Sequence, residues 1–88
     1  MSVPQVIFSP EPSFSDEARK AKAQGVVTLI LVVGTDGHAH DIHVGQSLGM
    51  GLDEKAIEAV NRWRFRPAMR AGEPVATRIL VEVDFHLY

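Results

Sequence analysis

The amino-acid sequence predicts an α+β domain: a three-stranded antiparallel sheet with two helices packed on one face, in the order helix, strand, strand, helix, strand. Residues 26–33 form an unbroken run of β-branched and aliphatic residues between two glycines, which is typical of a buried strand. Asp36-Gly37 follows it and predicts a type I′ hairpin turn. Residues 76–87 alternate between apolar and polar side chains, which is typical of an antiparallel strand with one wet face.

The two predicted helices each begin at a polar residue. Ser15 is placed to accept a hydrogen bond from the first turn of one helix, and Asp53 is the predicted N-cap of the other. The return strand of the hairpin, residues 39–46, breaks its alternation near His40 and Asp41, which predicts a β-bulge there. The expected structural core contains Leu29, Leu31, Val60, Trp63 and Phe65.

A length of 88 residues indicates one domain with a modest core. Residues 1–13 contain three prolines and no periodicity, so they are expected to be an extended lead-in or the end of a linker, and residues 14–88 the folded domain. No apolar run approaches the roughly 18 residues that span a bilayer, and no signal peptide is evident. We therefore expect either a cytosolic protein or a piece of a larger one.

The sequence shows no catalytic pattern. It has no cysteine, and its serines lie in no nucleophile motif. Its paired carboxylates, such as Asp53-Glu54, stand at predicted helix starts, where capping and the helix dipole explain them. We predict that the protein is not an enzyme and needs no cofactor.

Two other patterns suggest ligands but favour simpler interpretations. His38, His40 and His43 suggest a metal site, yet strand alternation turns Asp41 away from the first two, so exposed polar residues are the favoured interpretation and no metal is predicted. Residues 62–66 interleave arginines with aromatic residues, as single-strand binders do. The formal charge of −2 instead favours aromatic residues in the core and arginines in solvent, without nucleic acid.

The last strand is the best candidate for a binding surface. In a three-stranded sheet whose first two strands form a hairpin, a last strand that joins the first is an edge, and an open edge accepts a peptide by strand addition. The alternative is a self-associating scaffold module that pairs this edge with its own copy and uses Ile30, Val32 and Leu80 as an apolar patch. The predicted partner-binding residues are Arg78, Ile79, Leu80, Val81, Glu82, Val83, Asp84, Phe85 and His86.

Over residues 12–87 the sequence resembles the C-terminal domain of TonB-type energy transducers. The most specific part of the resemblance is a W-R-F-x-P segment after the second helix. The matching residues are Glu17-Ala18-Arg19, Gly25-Val26-Val27-Thr28-Leu29, Asp36-Gly37, Leu52-Asp53 before Ala56, Trp63-Arg64-Phe65-Arg66-Pro67 and Gly72-Glu73-Pro74-Val75. Phe14-Ser15 stands where the family often has Tyr-Pro.

The resemblance implies a non-catalytic periplasmic domain of Gram-negative bacteria. Such a domain is tethered through a Pro-rich linker to an inner-membrane helix and driven by a proton-motive complex. It binds the TonB box of outer-membrane TonB-dependent transporters through its last strand and passes on force. The resemblance also implies a second transporter contact at Pro10, Glu11, Pro12, Ser13 and Phe14, and it leaves a homodimer open. Since the membrane helix is not in this sequence, the resemblance implies a fragment or an unusual stand-alone form.

Overall fold

The computed structural model describes residues 2–86, so Met1, Tyr88 and the predicted strand end at Leu87 lie outside the described residues. The predicted helices and strands are present in the predicted order, with two further pairs of short strands among the described residues. In chain order the elements are β1 (Gln5–Phe8), α1 (Asp16–Ala21), β2 (Gly25–Val33), β3 (Ala39–Gln46), α2 (Leu52–Asn61), β4 (Arg64–Arg66), β5 (Ala68–Arg70), β6 (Glu73–Val75) and β7 (Thr77–Phe85).

The main sheet has three antiparallel strands in the order β3-β2-β7, which confirms the predicted fold class. β2 and β7 pair without interruption from Gly25 opposite Phe85 to Val33 opposite Thr77. Two small antiparallel pairs, β1 with β4 and β5 with β6, form separate two-stranded sheets and were not predicted. The last strand therefore lies at one edge of the main sheet and β3 at the other.

The hydrophobic core lies on one face of the main sheet, beneath the two helices. Of the predicted core residues, Leu29, Leu31, Val60 and Phe65 are buried, whereas Trp63 is half-buried and packs against the outside of the cluster. The opposite face of the sheet is open, and Leu80 is 60% exposed there. The buried cluster consists of Ala18, Val27, Leu29, Leu31, Val33, Leu52, Ala56, Val60, Phe65, Val83 and Phe85.

The turn between β2 and β3 differs from the predicted type I′. The N–H of Gly37 donates to the carbonyl of Gly34, and among turn residues 34–37 only Gly37 has a positive φ, of 79°. This is the pattern of a type I turn followed by a left-handed glycine. The prediction of type I′ is wrong because the Asp36 carboxylate accepts the N–H of His38, at 3.0 Å, which holds Asp36 in an ordinary turn conformation.

Gly37 also lies against the backbone of β4, and this contact predicts the effect of adding a side chain. Its carbonyl accepts the N–H of Phe65 at 2.9 Å, and a Cβ at Gly37 would lie 2.6 Å from the Phe65 carbonyl oxygen. Gly37→Ala is therefore expected to reduce the free energy of unfolding by about 2–3 kcal/mol, combining left-handed strain with displacement of β4.

Gly72→Ala is the matched control, because Gly72 has a similar φ of 81° and a Cβ there would meet nothing within 4 Å. It is expected to cost only the strain, about 1 kcal/mol. Urea unfolding of both variants provides the measurement. Equal losses for the two glycines would show that the contact with Phe65 contributes nothing.

The starts of the two helices are built differently. The Ser15 hydroxyl accepts the N–H of Ala18 at 3.1 Å, as predicted. Asp53 is not an N-cap, which corrects the prediction: Gly51 occupies that position, and the Asp53 carboxylate instead accepts the N–H of Leu48 and the hydroxyl of Ser47. Partial desolvation raises the pKa of Asp53, but these hydrogen bonds outweigh it together and leave the pKa below its ordinary value.

The N-terminal segment is bound along β4 and the residues that flank it. Gln5 lies opposite Arg66 and Phe8 opposite Arg64, and the Trp63 Nε1–H donates to the carbonyl of Pro10 at 3.1 Å. Ser2 and Met69 exchange two further hydrogen bonds at 3.0 Å. Part of the lead-in expected at residues 1–13 is thus extended and paired with the domain. We call residues 2–10 the N-terminal strap.

Candidate peptide-binding edge

The feature that best fits a binding site is the outer flank of β7. One flank of this strand pairs with β2 along its whole length, and no strand within residues 2–86 pairs with the other. In an antiparallel strand the N–H and C=O groups of alternate residues point to the two flanks. The outer flank of β7 therefore presents a row of main-chain donors and acceptors to solvent.

The other edge strand, β3, is much less regular. Its register against β2 shifts twice, and Asp41 has a positive φ of 51° at the first irregularity, where the sequence predicts a bulge. Gly45 lies at the second irregularity, between the residues paired with Thr28 and Leu29. Bulges twist an edge away from further pairing, so the structure leaves β7 as the regular edge of this sheet.

The side chains of β7 divide into two sets, as the alternation predicts. Those that point toward the helices, Ile79, Val81, Val83 and Phe85, are half-buried or buried. On the open face Arg78, Leu80 and Glu82 lie opposite Val32, Ile30 and Thr28 of β2. Asp84 and His86 continue this face, with 3.6 Å between the Asp84 carboxylate and the His86 imidazole. The open face of the edge thus carries a cation, an apolar residue and two anions in succession.

A cleft of about 310 Å³ lies at the C-terminal end of this edge. Its floor is aromatic: the rings of Phe14 and Phe85 meet edge to face, with 5.5 Å between their centroids. Polar groups surround the floor, so the cleft can hold a side chain with an apolar stem and a polar end. The lining residues are Glu11, Pro12, Phe14, Arg19, Asp84, Phe85 and His86.

The structure brings only part of the predicted second contact to this cleft. Glu11, Pro12 and Phe14 line it beside the end of β7. Pro10 is engaged elsewhere, since its carbonyl accepts the Trp63 Nε1–H. Ser13 lines a smaller hollow against α2. Neither the cleft nor the strap could be read from the sequence, because Phe14 and Phe85 are far apart along the chain and the prolines hide any strand periodicity.

The histidines of the hairpin are separate rather than convergent. The Nε2 of His40 lies 3.0 Å from both carboxylate oxygens of Asp36, and His43 Nδ1 lies 3.2 Å from the Asp41 carbonyl. The hydrogen bond from the His38 N–H and the neighbouring His40 imidazole lower the pKa of Asp36. Between residues 2 and 86 no group of three or more His, Cys, Asp or Glu side chains is arranged to hold a metal ion.

By its architecture this is a small α+β domain in which a three-stranded antiparallel sheet, covered by helices on one face, ends at a regular open edge. The sequence model of the family described as "Gram-negative bacterial TonB protein C-terminal" matches residues 10–87. The chain belongs to this family of TonB C-terminal domains.

Similar proteins come from several Gram-negative bacteria. The chain is 33% identical over 82 residues to "Protein tonB2" of Pseudomonas aeruginosa, covering 92% of this chain and 30% of that protein. It is 32% identical to "Protein TonB" of Xanthomonas campestris, over 86% of this chain and 34% of that protein. It is also 32% identical to "Protein TonB" of Vibrio cholerae, over 88% of this chain and 32% of that protein. The chain thus spans about a third of the length of these relatives.

The fold has a solved counterpart. The solution NMR structure of the Pseudomonas aeruginosa TonB C-terminal domain superposes with a TM-score of 0.76 and 23% sequence identity, over 99% of this chain and 89% of the solved one. Across residues 2–86 no helix is both long enough and apolar enough to cross a membrane.

Proposed function

We propose that this domain is the periplasmic peptide-binding end of a TonB-type energy transducer. In this proposal β7 binds the TonB box of an outer-membrane TonB-dependent transporter as an added strand. An N-terminal membrane anchor would connect the domain to the inner-membrane proton-motive complex, which supplies the force. The domain itself binds and transmits force, and it catalyses no reaction.

The observation that carries this proposal is the contrast between the two edges of the sheet. β7 offers nine residues in unbroken register, whereas the bulges of β3 discourage pairing. Strand addition derives affinity from main-chain hydrogen bonds and selectivity from alternate side chains. The residues proposed for this role are 78–86, with the cleft at Glu11, Pro12 and Phe14 as the place for a flanking side chain.

Amide hydrogen exchange with synthetic TonB-box peptides tests the proposal directly. In the free domain the N–H groups that point outward from β7 are expected to exchange quickly, since nothing in the described structure pairs with them. A bound strand is expected to protect alternate amides between residues 78 and 86 and to leave β3 unchanged. Protection of β3 instead of β7 would place the peptide at the wrong edge and overturn the proposal.

Proline scanning supplies the matched mutational test. Adjacent residues of β7 direct their N–H groups to opposite flanks, so Val81→Pro and Glu82→Pro have different effects. The variant at the inward-pointing N–H loses a hydrogen bond of the ladder to β2. The other variant deletes an outward donor and keeps this ladder. That variant is expected to remain folded and to bind the peptide at least about 10-fold more weakly. Gln46→Pro, at the end of β3, is the control and is expected to retain parental affinity.

Self-association is the second candidate function, and the charge order along β7 favours it. An antiparallel pair of β7 strands centred on Leu80 would place Arg78 of each copy opposite Glu82 of the other. Sedimentation velocity of the free domain over a range of concentrations distinguishes the two functions. A monomer that binds peptide supports the transducer role, whereas a dimer that excludes peptide supports the scaffold.

A further inference from the structure

A second exposed surface lies on the ribbon formed by β1 and β4, away from the β7 edge. Residues directly opposite each other in an antiparallel pair share a face. Phe65, which is buried, lies opposite Val6 on the side of the ribbon toward the core, although Val6 itself is 47% exposed. Arg64 and Arg66 therefore share the outward face, together with their partners Phe8 and Gln5.

A bulge gives Phe8 its outward position. Regular alternation would place Phe8 on the same face as Val6, toward the core. The register shifts between these two residues, with Ile7 as the extra residue, and Phe8 then lies opposite Arg64. Phe8 is 57% exposed and Ile7 is 60% exposed. Together with Val6, the ribbon thus presents three large apolar side chains to solvent beside arginines.

The charge around this ribbon is one-sided. Four of the nine basic residues lie at positions 62, 64, 66 and 70, and no acidic residue occurs between Glu58 and Glu73. Among the described residues, the ion pairs of the structure involve none of these arginines. Arg70 lies opposite Glu73 in the β5–β6 pair, which leaves Arg62, Arg64 and Arg66 as the cations nearest the ribbon. The Arg64 guanidinium donates to the main-chain carbonyls of Asn61 and Trp63, which hold it in place without neutralising its charge, and Arg62 lines a small hollow with Glu11 and Glu58. The rest of the molecule is acidic, because the whole chain has a net charge of −2.

We propose that the outward face of the β1–β4 ribbon, together with Arg62 at the end of α2, binds an anionic phospholipid surface. Arginines attract anionic headgroups, while exposed aromatic and aliphatic side chains enter the boundary between headgroups and acyl chains. A protein partner would need a surface shaped to fit the protruding Ile7 and Phe8. A fluid bilayer adapts to them, which favours a membrane as the occupant. This proposal uses residues separate from β7, so its failure would leave the peptide-binding proposal standing.

Cosedimentation with phosphatidylglycerol vesicles tests the proposal, with pure phosphatidylcholine vesicles for comparison. The domain is expected to bind the anionic vesicles, to bind the neutral ones much more weakly, and to lose binding as salt increases. Arg62→Glu/Arg66→Glu is expected to lower the partition coefficient at least about 30-fold. Lys20→Glu/Lys22→Glu, on and just after α1, changes the net charge by the same amount and is expected to retain at least half of the parental binding.

The apolar contribution has its own variant, Ile7→Ser/Phe8→Ser, which is expected to weaken vesicle binding about 10-fold or more without changing the charge. Circular dichroism and thermal melting check that each variant keeps its fold. Equal loss in the arginine and lysine variants would overturn the proposal by showing a general charge effect. Full binding by the serine variant, or equal binding to soluble polyphosphate, would overturn it by showing a simple polyanion site.

Discussion

Phe85→Ala is expected to reduce the free energy of unfolding by about 4 kcal/mol, one of the two largest single-residue effects that the structure predicts. Phe85 is 1% exposed, belongs to the buried cluster, and meets the ring of Phe14 edge to face. The substitution removes this burial and the aromatic contact together. A domain of this length has a total stability of about 5–10 kcal/mol, so the variant would be largely destabilised.

Thermal unfolding measures this effect, with an expected fall in the melting temperature of more than about 15 °C. Leu80→Ala is the matched control, because Leu80 lies on the same strand but is 60% exposed. It is expected to change stability by less than about 0.5 kcal/mol. A melting temperature for Phe85→Ala close to that of Leu80→Ala would contradict the placement of Phe85 in the core.

A second substitution at Phe85, Phe85→Leu, separates the effect on stability from the effect on peptide binding. Because Phe85 forms the floor of the cleft at the end of β7, Phe85→Leu retains most of the apolar volume but loses the edge-to-face contact with Phe14. Such a volume-conserving change usually costs less than about 1.5 kcal/mol. Peptide affinity can then be measured on a folded domain whose cleft has lost one of its two rings.

The main sheet could be predicted from the sequence because its signals are local. The β-branched run of β2 and the alternation of β7 each identify a strand without reference to any distant residue. The edge position of β7 then follows from strand count and from the hairpin, which makes β2 and β3 neighbours. The bulge at Asp41 was predictable for the same reason, since a break in alternation is visible along one strand.

The features that escaped prediction depend on distant partners or on competing hydrogen bonds. β1 forms a strand by pairing with the distant β4, and the flanking Pro4 and Pro10 hide that role in the sequence. Asp53 has the residue type of an N-cap, but the N–H groups of the preceding loop are nearer competitors for its carboxylate. Asp36 likewise bonds His38, which selects a different turn from the one that Asp-Gly favours in isolation.

Trp63 connects the domain to its N-terminal strap, and Trp63→Ala is expected to reduce the free energy of unfolding by about 3 kcal/mol. The indole is half-buried against the core and lies 6.2 Å from the ring of Phe65. Its Nε1–H donates to the Pro10 carbonyl, the point where the strap turns toward Phe14. The substitution therefore removes apolar packing and leaves a main-chain acceptor without its protein donor.

Trp63→Phe divides the two contributions, since it keeps most of the packing and deletes the N–H donor. It is expected to cost about 1 kcal/mol in global stability. Hydrogen exchange separates a local effect from a global one. Both Trp63 variants are expected to speed exchange of the amides of β1. Exchange of the amides of β2 is expected to change only as much as the global stability changes. If Trp63→Ala melted within a few degrees of the parent, the packing of the indole against the core would contribute little to stability, which would contradict the prediction. If β1 kept its protection in Trp63→Phe, pairing with β4 would be sufficient to hold the strap, and the hydrogen bond from Trp63 to the Pro10 carbonyl would not be needed.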